Sequence, residues 1–164
     1  MRSGWKILIT KLAFASLACS ASAQVLSPIA FEELQPISDR SVQLSGDVES
    51  AARGILVAHA GVQSAVCYFE LSMSVIEFNH ELLRLQTLIL ISDDMHDAYD
   101  LRKVLSQVKD ISAKLLKTIE GDRSFVNRVP SDCPTTSFVA VKAQELLNLY
   151  TSATPVLRAI VKRI

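Results

Sequence analysis

The sequence predicts an all-α protein: an up-down bundle of three to four antiparallel helices behind an irregular N-terminal lead-in. Three observations carry this. Apolar residues recur at helical intervals from residue 47 to the end, and no segment alternates with period two for long enough to make a strand. Only five glycines and five prolines interrupt 164 residues, of which 49% are hydrophobic. The length suits one domain, since domains commonly run ~100–200 residues.

Residues 1–23 read as an export signal and not as part of the fold. Arg2, Lys6 and Lys11 form a basic start, Leu12 to Cys19 a short apolar run, and Ala21-Ser22-Ala23 the small residues a signal peptidase accepts. A membrane span needs ~20 apolar residues, more than Lys11 leaves. Cleavage before Gln24 is therefore expected, with an exported protein, periplasmic or extracellular, and no stable membrane span afterwards. Cleavage would leave 141 residues with 14 basic against 17 acidic side chains, a net charge of −3 where the whole chain has zero. That balance offers no cationic surface for nucleic acid. Aromatic residues, at 6%, are too few for a base-stacking platform.

Residues 24–46 contain Pro28, Pro36 and Gly46 with little periodicity, and an extended lead-in is expected there. The helical domain is placed at 47–164. Val48, Ile55, Val62, Phe69, Ile76, Leu83 and Leu90 recur every seven residues. One helix over 47–91 would be about 67 Å long, so a break near Gly61 is expected, with the unbroken helix as the alternative. Ser92 reads as the next N-cap. Asp93, Asp94, Asp97 and Asp100 then open a helix whose later turns carry Lys103, Lys109, Lys114 and Lys117, a gradient the helix dipole favours without any ligand. Leu101, Leu105, Val108, Ile111, Leu115 and Ile119 extend an apolar stripe to Gly121, the expected stop. Residues 122–136, with Pro130 and Pro134, read as a loop. A last helix starts near Ser137, with Val139, Ala143, Leu146, Tyr150, Leu157, Ile160 and Ile164 on one face and a kink expected before Pro155.

The mature chain keeps two cysteines, Cys67 and Cys133, which in an oxidising compartment predicts one disulfide. In a hairpin turning at Ser92, Cys67 lies 25 residues below the turn and Glu120 lies 28 below it. Their heights then differ by ~5 Å, and the chain past Gly121 returns Cys133 to the same end.

Sites for catalysis or metal are poorly supported. Glu77 and His80 form an E-x-x-H pair, and Asp93 and His96 a D-x-x-H pair. The two histidines would differ by ~12 Å along the bundle axis, too far for metals that share ligands. There is no CxxC, no CxxCH and no G-x-S-x-G elbow, and the cationic residues Arg53, Arg84, Arg102 and Lys103 sit off the main apolar stripes. No cofactor, no metal and no catalytic residue is expected.

Helix 62–91 is the informative element. On a 100° wheel Leu71, Val75, Phe78, Leu82, Leu85 and Ile89 share one face, while Phe69, Met73, Ile76, Leu83 and Leu90 lie opposite. Tyr68, Ser72, Asn79 and Gln86 form an uncharged polar stripe between them, and charges occupy the remaining flank. A helix with two apolar faces is central in its domain or buried against a partner. The expectation is a non-catalytic interaction or structural module that uses a homo-oligomer or protein partner through its second apolar face. The Leu71–Ile89 set is the candidate interface. The alternative is a carrier that binds a small apolar ligand in a pocket lined by Tyr68, Ser72, Asn79 and Gln86.

Overall fold

The computed structural model describes residues 30–52, 62–132 and 137–164. They fold as four helices with no strand among the described residues: α1 over 30–52, α2 over Val62–Asp93, α3 over Ala98–Asp132 and α4 over Ser137–Arg163. The expected all-α bundle is what forms. The signal segment, the Gly61 break point and Cys133 lie outside the described residues.

Polar contacts tie neighbouring helices in sequence. The Tyr68 hydroxyl of α2 donates to the Val48 carbonyl of α1. Lys114 of α3 reaches Glu81 of α2 at 2.5 Å, and Tyr150 of α4 donates to Asp122 of α3 at 2.9 Å. Each pair lies at similar distances from the connection joining its two helices, which fits an up-down order. Phe78 of α2 and Tyr150 of α4 meet edge to face in the middle, their centroids 5.1 Å apart and their planes at 73°. One core cluster draws on all four helices, with Leu34, Val48, Leu71, Phe78, Leu115, Leu146 and Leu157 among its most buried members. Each such side chain contributes roughly 1.5–3 kcal/mol by leaving water.

Three boundaries differ from expectation, each for a physical reason. The lead-in is helical from residue 30, so 30–46 is not extended. Ala30, Leu34, Ile37, Ser38, Ser41, Leu44 and Val48 are all buried at helical spacing. The serines conceal that stripe from hydropathy, and burial overrides the local preferences of Pro36 and Gly46.

Of the two arrangements considered for 47–91, the alternative of one unbroken helix is excluded. Residues 48 and 68 would stand about 30 Å apart on one helix, yet the Tyr68 hydroxyl bonds the Val48 carbonyl.

Ser92 does not cap the third helix. It lies in the last turn of α2, is buried, and donates to the Ile89 carbonyl at 2.7 Å. The cap is Asp97, whose Oδ1 accepts from the amides of Tyr99 at 2.8 Å and Asp100 at 3.1 Å. Those two amides hold its carboxyl below the ordinary value.

Gly121 does not end α3, which continues to Asp132. Val126 and Val129 are buried beyond it, and their burial outweighs the ~1 kcal/mol that glycine costs inside a helix. The expected loop over 122–136 is thus helical through residue 132. The last helix begins at Ser137 as expected and stays helical through Pro155. Its predicted face is buried from Val139 to Ile160, and Ile164 is half-buried.

Candidate functional site

The two faces of α2 have separate fates. Leu71, Val75, Phe78, Leu82, Leu85 and Ile89 are each no more than 1% exposed, sealed within the chain's own core. The candidate interface assigned to them is therefore interior packing. Sequence alone could not rank two equally apolar faces, because the choice depends on which one the other helices cover.

The opposed face is open. Val66, Phe69, Met73, Ile76, Leu83 and Leu90 are between 41% and 64% exposed. These positions have a regular geometry. Residues 66, 69, 73, 76, 80, 83, 87 and 90 follow alternating steps of three and four, the spacing of a coiled-coil seam. Val66, Met73, His80 and Thr87 fall at one seam position, and Phe69, Ile76, Leu83 and Leu90 at the other. His80 and Thr87 are exposed as well. The seven-residue recurrence was legible in the sequence; that it marks an outward seam needed the burial pattern.

Charges border this seam on one side. Glu70, Glu77 and Arg84 recur at seven-residue intervals beside it, and all three are exposed. Arg84 lies 3.8 Å from Glu81 Oε2, while Glu81, itself buried, takes its closer partner from Lys114. The other flank, Ser72, Asn79 and Gln86, is uncharged.

The expected pocket lining is packed, not open. Tyr68 is buried with its hydroxyl on the Val48 carbonyl, and burial raises its pKa above the ordinary value, against lowering contributions from hydrogen bonding. The Ser72 hydroxyl donates to the Tyr68 carbonyl at 2.8 Å. Asn79 Oδ1 and Gln86 Nε2 are buried without a hydrogen-bond partner. Of the open clefts, one of about 370 Å³ lies between α3 and α4 beside Ile119, Arg123 and Arg158, and two lie between α1 and α4. One, of about 570 Å³, runs beside Pro36, Ile37, Arg40, Leu149, Val156 and Arg163. The other, of about 310 Å³, is polar and borders Asp47, Lys142 and Glu145.

That polar cleft surrounds an ion cluster. The Lys142 ammonium lies 2.7 Å from Asp47 Oδ2 and 3.0 Å from Glu145 Oε2, and 5.6 Å above the Phe138 ring. Burial disfavours its charge, but the hydrogen bonds it donates to both carboxylates, together with their charges, prevail and hold its pKa above the ordinary lysine value. Lys142, Asp47 and Glu145 each have an opposite neighbour, the pattern of a structural cluster between α1 and α4, and Arg40 lines the same cleft.

Glu77 and His80 stand exposed on the outside of α2, and the acids at 93–100 border the turn into α3. Among the described residues, no group of three or more His, Cys, Asp or Glu side chains converges on one point, and no helix is long and apolar enough to cross a membrane. Cys67 is half-buried against the core near the start of α2, and its expected partner Cys133 lies one residue past the end of α3. No protein-family model, curated protein or solved structure matches this chain.

Proposed function

We propose that the protein is an exported, non-catalytic interaction module whose working surface is the outer seam of α2. The observation that carries this reading is the row from Val66 to Leu90, apolar at six of its eight seam positions and uncovered among the described residues. Exposed rows of this kind mark association surfaces, because leaving them in water forgoes roughly 25 cal/mol per Å² of burial. A Cys67–Cys133 disulfide would fasten the start of α2 to the end of α3. Such a bridge suits a domain that works outside the reducing cytosol.

A photo-reactive side chain placed at Leu83 in the producing cell tests the proposal, with Lys103 on α3 as the control position. A discrete adduct from Leu83 and none from Lys103 is expected. Equal labelling at both positions, or none at either, would remove the seam as a working surface.

A second reading, a carrier of a small apolar ligand, moves to the α1–α4 groove. Its apolar walls and two guanidiniums, Arg40 and Arg163, against the single carboxylate of Glu33, suit an anionic amphiphile. Native mass spectrometry of the protein from its own host tests this: a co-purifying anion of that class supports the carrier, and bare protein counts against it.

A further inference from the structure

Resting on the interaction reading, the geometry points to a specific partner: a second copy of this chain, its α2 laid antiparallel along the first. Register arithmetic makes the case. Two such helices related by a two-fold axis near residue 78 bring seam positions together wherever their numbers sum to 156. Ile76 then meets the partner's His80, and Met73 meets the partner's Leu83. The polar residues His80 and Thr87 each receive an apolar neighbour. A parallel, in-register pair would instead stack His80 on the partner's His80 and Thr87 on the partner's Thr87.

The bordering charges fit the same arrangement. In an antiparallel seam the charged flank of one helix faces the identical flank of the other. Glu70 comes opposite the partner's Arg84, and by symmetry the pair forms twice. Glu77, near the axis, faces the partner's Glu77, a single like-charge contact against two attractive ones. A parallel pair would set Glu77 beside the partner's Ser72 and Arg84 beside the partner's Asn79, leaving these charges unmatched. The size also suffices. Val66 to Leu90 spans about 36 Å, and a helix with its side chains is ~10–12 Å wide. Counted on both copies and widened by the flanking side chains, that footprint reaches the ~1,000 Å² expected of a specific interface.

Residues 70 and 84 of one helix stand about 21 Å apart, beyond direct contact. Energetic coupling between them can therefore arise only across two copies, and a double-mutant cycle reads it. Light scattering and sedimentation on the full chain should give a dimer at ~100 µM, within the micromolar range usual for modest interfaces. Ile76→Glu should give a folded monomer, since Ile76 lies outside the core. Glu70→Arg and Arg84→Glu should each weaken the dimer roughly 3- to 10-fold. The double reversal E70R/R84E should recover most of that loss, and Glu77→Gln should tighten the dimer.

A monomer at every concentration overturns self-pairing. So does a dimer that Ile76→Glu leaves intact, or one in which E70R/R84E shows no recovery. If the chain is monomeric while Leu83 still yields a discrete adduct, self-pairing fails and the interaction reading survives. If Leu83 yields none, both fail.

Discussion

The Tyr150 hydroxyl donates to Asp122 Oδ2 at 2.9 Å while its ring, wholly buried, lies edge-on to Phe78. One side chain thus joins α4 to α3 by a polar bond and to α2 by an aromatic one. Burial pushes its pKa far above the ordinary 10.0, and the neighbouring Asp122 carboxylate, the bond to it and the Glu77 charge push the same way.

Tyr150 therefore makes stability pH-dependent on the alkaline side. The unfolded chain loses this proton near 10.0 and the folded chain much higher, so between those values the folded state binds more protons. Its contribution is complete below pH 10 and is lost as pH rises above it. Tyr150→Phe should cost about 1–2 kcal/mol at neutral pH by leaving Asp122 without its donor. The same variant should show a shallower loss of stability above pH 10 in urea titrations.

The two faces of α2 should respond in opposite ways to truncation. Phe78→Ala is expected to cost about 3–5 kcal/mol, and Phe78→Asp to abolish folding, because no element could move to hydrate that site. Ile76→Ala should change monomer stability by under ~0.5 kcal/mol, as surface substitutions do. Urea unfolding of the three variants separates the faces directly.

Gly46 and Gly121 sit inside helices, and a Cβ at either would meet nothing within 4 Å. Gly46→Ala and Gly121→Ala should each stabilise by about 0.5–1 kcal/mol, by restricting the unfolded chain without a clash in the folded one. Thermal melts that fall instead of rising would show that one of these glycines serves a purpose beyond helix continuity.

Reduction should lower the melting temperature by several degrees if Cys67 and Cys133 are joined. The closed loop of some 66 residues corresponds to roughly 4 kcal/mol in the chain-entropy account. Cys67→Ser should reproduce the shift and abolish any further effect of reductant. An unchanged melt in both experiments removes the bridge.

What the sequence made legible follows from where burial and hydropathy agree. The last helix was readable nearly to the residue, because its buried face is apolar apart from Lys142 and Ser137 follows directly on a Pro-containing stretch. The first helix was hidden because Ser38 and Ser41 occupy core-facing positions, where hydropathy sees polarity and the fold sees small side chains that let helices approach. Ser92 and Asp97 are both competent caps. Only the burial of Ile89 and Ser92 shows α2 still running between them. The candidate surface was found as a pattern but placed on the wrong side. Leu71–Ile89 and Val66–Leu90 are comparably apolar, and three other helices decide which is covered.

The attachment of α1 has a mechanical consequence. Two polar ties to its neighbours, from Tyr68 to the Val48 carbonyl and from Lys142 to Asp47, fall at adjacent residues near the end of the helix. Toward residue 30 it is held, among the described residues, by the buried side chains of Ala30, Leu34, Ile37 and Leu44. A rod whose polar ties sit at one end would pivot there, with its fulcrum at residues 47–48. Over the ~26 Å to residue 30, a tilt of a few degrees at the fulcrum becomes a displacement of an ångström or more at the tip. Such a swing would change the width of the groove beside Pro36 and Arg40 and leave the outer seam of α2 undisturbed.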